Sequence, residues 1–217
     1  MGFSLLELLL VIAVMAIMMS LMLPAIAGFS STAGRRGAVN ILMSTFEQAR
    51  VAALETGQTV YVGFADENFP VEDMRYAAFL VFRDATEEEK AANSNRKFVV
   101  LKKWTRLPKN ISFKRVNSSL VPASASSAQF SSLKNEMGSA YAGWSEKMPV
   151  IAFNSSGAVD QPSTNLCIFL YEGYFAGGQE NYTRNNDVPK SAAGLFEKIS
   201  LSRYTGRAQL DITATGS

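Results

Sequence analysis

Residues 2–24 read GFSLLELLLVIAVMAIMMSLMLP, an apolar run that holds a single acid, Glu7. From Phe3 to Phe29 the only polar side chains are Ser4, Glu7 and Ser20. At about 1.5 Å rise per residue, a helix from Leu8 to Ala27 covers about 30 Å, the thickness of a hydrocarbon core. The expectation is a helix that enters a bilayer. A carboxylate in such a run costs a few kcal/mol unless something offsets it, so Glu7 is a functional candidate. A cleaved secretory signal would want a basic start and a shorter apolar stretch, although PAIAG (24–28) resembles a cleavage site. A plain signal anchor fits the hydropathy and leaves Glu7 and Pro24 unexplained. An acid reaching back to the headgroups is the bland alternative.

Beyond the apolar run, Gly28 and SSTAGRRG (30–37) predict a loosening of the chain. From about Ala38 the helical period returns. Val39, Leu42, Met43, Phe46, Ala49, Ala53 and Leu54 recur at three- and four-residue steps, and Gly57 is a stop signal. This predicts a stem helix with one face against a head. After Gly57 come strand patterns: TVYVGF, YAAFLVF, KFVVLKKW, NISFKRV, PVIAF, LCIFLY, EKISLS and RAQLDIT, separated by Pro, Gly, Asn and Ser. RYTGR (203–207) reads as the tight turn of a last hairpin. A long helix followed by short strands predicts an α+β fold, with an antiparallel sheet packed on the helix.

Composition narrows the chemistry. The chain has no histidine, one cysteine and a net charge of +2. Ser-His-Asp and Cys-His catalysis and imidazole-bound zinc are therefore excluded. Cys167 lies in the apolar LCIFLY, where a small buried hydrophobe is the natural reading. No paired-carboxylate spacing appears, so no catalytic residue, cofactor or metal ligand is assigned, and the chain reads as a non-enzyme. The acidic cluster Asp66, Glu67, Glu72 and Asp73 matches no calcium spacing and reads as a solvated loop.

GFSLLELLLVIAVMAIMMSLMLP resembles the amino-terminal motif of type IV prepilins and type II secretion pseudopilins. The resemblance implies cleavage by prepilin peptidase between Gly2 and Phe3, with N-methylation of Phe3. It implies that Glu7, fifth after the cut, is the family's assembly glutamate, and that Pro24 is its recurrent proline. Glu7 of one subunit would then pair with the Phe3 amine of a neighbour, removing an unpaired charge from lipid. The head is similar to minor pseudopilins of the GspH/FimU/FimT type through FEQARVAALETGQTVYVGF, the turn from Phe153 to Gly157, and the hairpin glycine Gly206. Residues 65–96, 117–145 and 174–196 fall outside that likeness and read as long loops.

The implied organisation is a leader remnant (1–2), a transmembrane and assembly helix (3–29), an amphipathic stem (30–57) and a β-rich head (58–217). The implied function is a minor pilin or pseudopilin that enters or primes a pilus-like or type II secretion filament and so serves protein transport. Its implied partners are other pilin or pseudopilin subunits, prepilin peptidase, the inner-membrane assembly platform and membrane lipid. The implied location is the inner membrane, single-pass, with a periplasmic head that can join a periplasm-spanning or surface filament. An alternative follows from Arg96 to Arg115, which holds eight basic and no acidic residues with Trp104 and Phe113 interleaved. Lys102, Lys103, Arg106, Lys114 and Arg115 would then bind DNA at a filament tip. A solvated sheet face with its aromatics in the core produces the same pattern.

Overall fold

The computed structural model describes residues 5–93, 97–114, 148–160, 166–183 and 197–211, with the backbone alone for 20–33. Helix α1 runs unbroken over Leu5–Thr56, 52 residues. The loosening expected at Gly28 and SSTAGRRG is therefore absent from the backbone. Serine, threonine and isolated glycine lower helix propensity by at most about 1 kcal/mol each, and cooperative propagation from both sides overrides that. Gly57 follows the helix with φ +65° and donates its N–H to the Ala53 carbonyl (3.0 Å), closing the last turn.

Each segment read as a strand contains one: β1 (Val60–Phe64), β2 (Ala78–Asp84), β3 (Phe98–Arg106), β4 (Ile111–Phe113), β5 (Val150–Phe153), β6 (Leu166–Ala176), β8 (Glu197–Leu201) and β9 (Ala208–Asp211). Three elements lie in stretches read as loops, the first a single 3-10 turn at Glu72–Met74. Helix α2 (Glu87–Ala92) forms inside ATEEEK, and β7 (Gln179–Tyr182) pairs back on β6 across Gly177 and Gly178. The capping box of α2 explains it: the Thr86 side chain accepts from the Glu89 N–H, and the Glu89 carboxylate accepts from the Thr86 N–H.

The single sheet expected is instead two. All pairings are antiparallel, in the orders β3-β2-β1-β5 and β4-β6-β8-β9, with β7 on β6. One core unites α1 with both sheets: Ala38, Leu42, Phe46, Ala49 and Ala53 are fully buried beside Val62, Phe79, Phe153, Ile168 and Ile199. Leu54, assigned to the buried stripe by its spacing, is instead 46% exposed. A second core covers the other face of the first sheet, with Leu80, Phe82, Phe69 and Met148 fully buried. That sheet is thus apolar on both faces, which is why β2 reads as a continuous hydrophobic run.

Helix levels place the head along α1. Gly34 approaches Ile111 and Gly37 approaches Pro108, so the β3–β4 connection lies at the end nearest the apolar run. Arg50 and Leu54 approach Gly157 and Gly206 at the opposite, distal end.

Candidate functional site

The described part of the apolar run, 5–19, stands clear of the head. Its large apolar side chains are 48–82% exposed, from Val14 to Leu5. They surround the helix rather than forming a stripe. Such a surface is far more apolar than a soluble monomer presents without a partner. Glu7 lies in the first turn of α1 and is exposed. Gly2 and Phe3 fall outside the described residues, as does the side chain of Pro24, whose backbone continues the helix. Among the described residues no helix is long and apolar enough to cross a membrane. The span expected over Leu8 to Ala27 runs into 20–33, whose side chains lie outside that description.

The helix is clamped to the head at both ends of its buried half. At the proximal end Arg35 Nε sits 2.8 Å from Glu172 Oε1, with Glu197 Oε1 3.8 Å from Arg35 Nη1. The side chains of Arg35 and Glu172 are only 22% and 11% exposed, so each charge depends on the other. At the distal end Arg50 Nε donates to the Thr205 carbonyl (2.8 Å), and its Nη1 donates to Glu47 Oε1 (2.6 Å). Both clamps escape a reading by motif. The available signal is Glu172 itself, an acid inside an apolar strand that demands a partner, as Glu7 does inside an apolar helix.

The distal clamp brings together two turns that sequence singles out separately. Asn154 Oδ1 accepts from the N–H groups of Ser156 and Ala158 (3.0 Å each) and shapes the turn after β5. Val159 N–H donates to the Arg203 carbonyl (3.0 Å), joining that turn to the β8–β9 hairpin. Gly157 (φ +74°) and Gly206 (φ +64°) meet there.

Among the described residues the basic stretch does not form one surface. Two register shifts between β2 and β3 turn Lys102 toward the helix. Its ammonium donates to Thr45 Oγ1 (3.2 Å) and lies 5.3 Å from the centroid of the Phe79 ring. Lys103 is exposed, and Arg106 pairs with Asp73 at 3.4 Å. Lys114 is half-buried and its backbone N–H donates to the Phe169 carbonyl (2.8 Å). Arg115 lies outside the described residues. Trp104 packs against Phe69 with ring centroids 4.5 Å apart, at the edge of the second core.

In the acidic cluster, Asp66 Oδ1 accepts from the Asn68 N–H (3.0 Å) and Asp73 belongs to the Arg106 pair. Among the described residues no group of three or more His, Cys, Asp or Glu side chains is placed to hold a metal. Cys167 is half-buried on β6, and burial pushes its thiol up, away from the reactive thiolate.

Compared with known proteins, the chain matches no family model and no curated protein. Among solved structures it is similar to the crystal structure of the type IV minor pilin FimU of Pseudomonas aeruginosa strain PAO1. The identity is 12%, the match covers 87% of this chain and 96% of that one, and the TM-score is 0.45, a coarse likeness.

Proposed function

We propose that this chain is a minor pilin or pseudopilin, a structural subunit stored in the inner membrane and passed into a pilus-like or type II secretion filament. Prepilin peptidase would cut between Gly2 and Phe3, and the assembly platform would lift the subunit from lipid into contact with its neighbours. The head would lie in the periplasm. The reading needs no catalysis, since every role it assigns is one of packing and charge pairing.

One observation carries it. A single helix is core at one end, where Leu42 and Phe46 are fully buried, and bare at the other, where Leu5 is 82% exposed. Burying those side chains in lipid or against like helices stabilises by about 25 cal/mol per Å² of apolar surface removed from water. An unbroken helix joins that surface to the head, so packing of the helices would also place the heads. Glu7 would favour packing beside a neighbour's amino terminus over isolation in lipid.

The test is Glu7→Ala. It is expected to abolish incorporation into filaments while the subunit still fractionates with membranes. Normal incorporation of the variant would sink the role given to Glu7.

A further inference from the structure

We propose that the cleft at the base of the head binds the headgroup of a zwitterionic phospholipid, one carrying a primary ammonium beside its phosphate. The inference rests on the membrane-anchored reading above. The cleft holds about 370 Å³ between residues 72–77, the end of β3, the β3–β4 connection and the far half of β6. That volume is at the small end of ligand pockets, about 300–1,000 Å³.

Its height favours lipid. Gly34 and Gly37 of α1 approach Ile111 and Pro108, both of which line the cleft. Gly34 is seven residues past Ala27, about 10 Å along the helix axis. A headgroup layer is about 5–8 Å deep on each side of the bilayer core, and Arg and Lys stems reach back several ångströms more. Cleft cations are therefore within reach of lipid phosphates.

Its chemistry selects the headgroup. Arg75, Arg106 and Lys109 supply cations, and Glu72 and Asp73 supply carboxylates, in one lining, with Arg75 Nε already donating to the Phe69 carbonyl (2.8 Å). Arg106 Nη1 and Asp73 Oδ2 are 3.4 Å apart with side chains 47% and 77% exposed, so a headgroup can exchange with that pair without burying a bare charge. A purely anionic lipid satisfies the cations but brings no cationic donor for the two carboxylates. An ammonium donates to them while the phosphate accepts from Arg106 and Lys109. Tyr174, 54% exposed, adds an aromatic wall of the kind enriched at membrane interfaces. The floor is rigid: Ser112 Oγ donates to the Gly173 carbonyl (3.0 Å), and Gly173 N–H donates to the Asn110 carbonyl (2.8 Å).

The test uses the full chain, one copy per nanodisc, in phosphatidylcholine alone or mixed with phosphatidylethanolamine or phosphatidylglycerol. Hydrogen exchange is read at the amides of 107–113 and 173–176. Phosphatidylethanolamine is expected to slow exchange there by about threefold relative to phosphatidylcholine, whose quaternary ammonium has no N–H to donate. Glu72→Gln and Asp73→Asn should each remove that difference. Equal exchange in the two lipids, or an undiminished difference in both variants, overturns the site. Stronger protection by phosphatidylglycerol overturns the zwitterionic assignment, and protection that needs two copies per disc makes the cleft a contact between heads. Exchange over 8–27 is read in the same experiment. An unprotected 8–27 overturns the membrane reading and the site with it, whereas a protected 8–27 beside a lipid-indifferent cleft overturns the site alone.

Discussion

Gly206 lies so close to Gly157 that a Cβ built on Gly206 would overlap the Gly157 carbonyl oxygen. Two turns separated by the whole of β6, β7 and β8 thus close on one another beneath Arg50 of the helix. Gly206 also has φ +64°, which disfavours any side chain. Gly206→Ala is expected to lower stability by about 2–4 kcal/mol, from backbone strain plus overlap. Gly177→Ala is the control: its φ is +61° but nothing lies within 4 Å, so only the strain of about 1–2 kcal/mol applies. Thermal melting of the two full-length variants in detergent checks the difference.

Arg35 and Glu172 should behave as a unit. Removing either leaves a shielded charge, and Arg35→Met or Glu172→Leu alone is expected to cost about 3 kcal/mol. The double variant should cost less than the sum by about 1–3 kcal/mol, because neither Arg35 nor Glu172 is left buried without the other and the remaining Glu197 is 32% exposed. Additive losses in a double-mutant cycle would show that the ion pair contributes nothing.

Lys102 and Lys103 adjoin in sequence and should differ in effect. Lys102→Ala loses a hydrogen bond to Thr45 and a contact over Phe79, and is expected to cost about 1–2 kcal/mol. Lys103→Ala should stay within about 0.5 kcal/mol of the parent. Equal losses would mean that β3 is placed in another register.

Acid should release α2 in a defined window. Arg83 Nη1 and Nη2 donate to the two Glu89 oxygens at 2.8 Å each, and Thr86 N–H adds a third bond. The Arg83 bonds, then the Thr86 backbone bond, hold the Glu89 carboxyl down at about 2 from its ordinary 4.5. A depressed acid contributes stability that is fully present above the unfolded value and is lost as pH falls through the folded one. The stability gap between parent and Glu89→Gln should therefore be constant above about pH 5, narrow below 4.5 and close near pH 2. A gap that widens on acidification would contradict this assignment.

Much of the fold is legible locally. The eight strand segments announce themselves because alternation and β-branched content are nearest-neighbour properties. β7 escapes because QENY has no apolar alternation and is held by its hairpin partner. Helix α2 escapes a search by apolar period because it buries no residue, although its capping box, Thr86 to Glu89, is a local signal.

The sequence by itself determined the apolar helix, the acid within it, the strand segments and the glycines of the two turns, because each depends on period or on backbone freedom within a few residues. Only the tertiary structure decided that the strands divide into two sheets around one helix face, and that Arg35 meets Glu172. It also decided that Lys102 turns inward while Arg106 pairs with Asp73, and that Gly157 and Gly206 touch. These are consequences of pairing register and long-range packing, where one bulge reverses a side chain's face. The energy that selects among the alternatives is shared across the whole core, and no short stretch of sequence holds it.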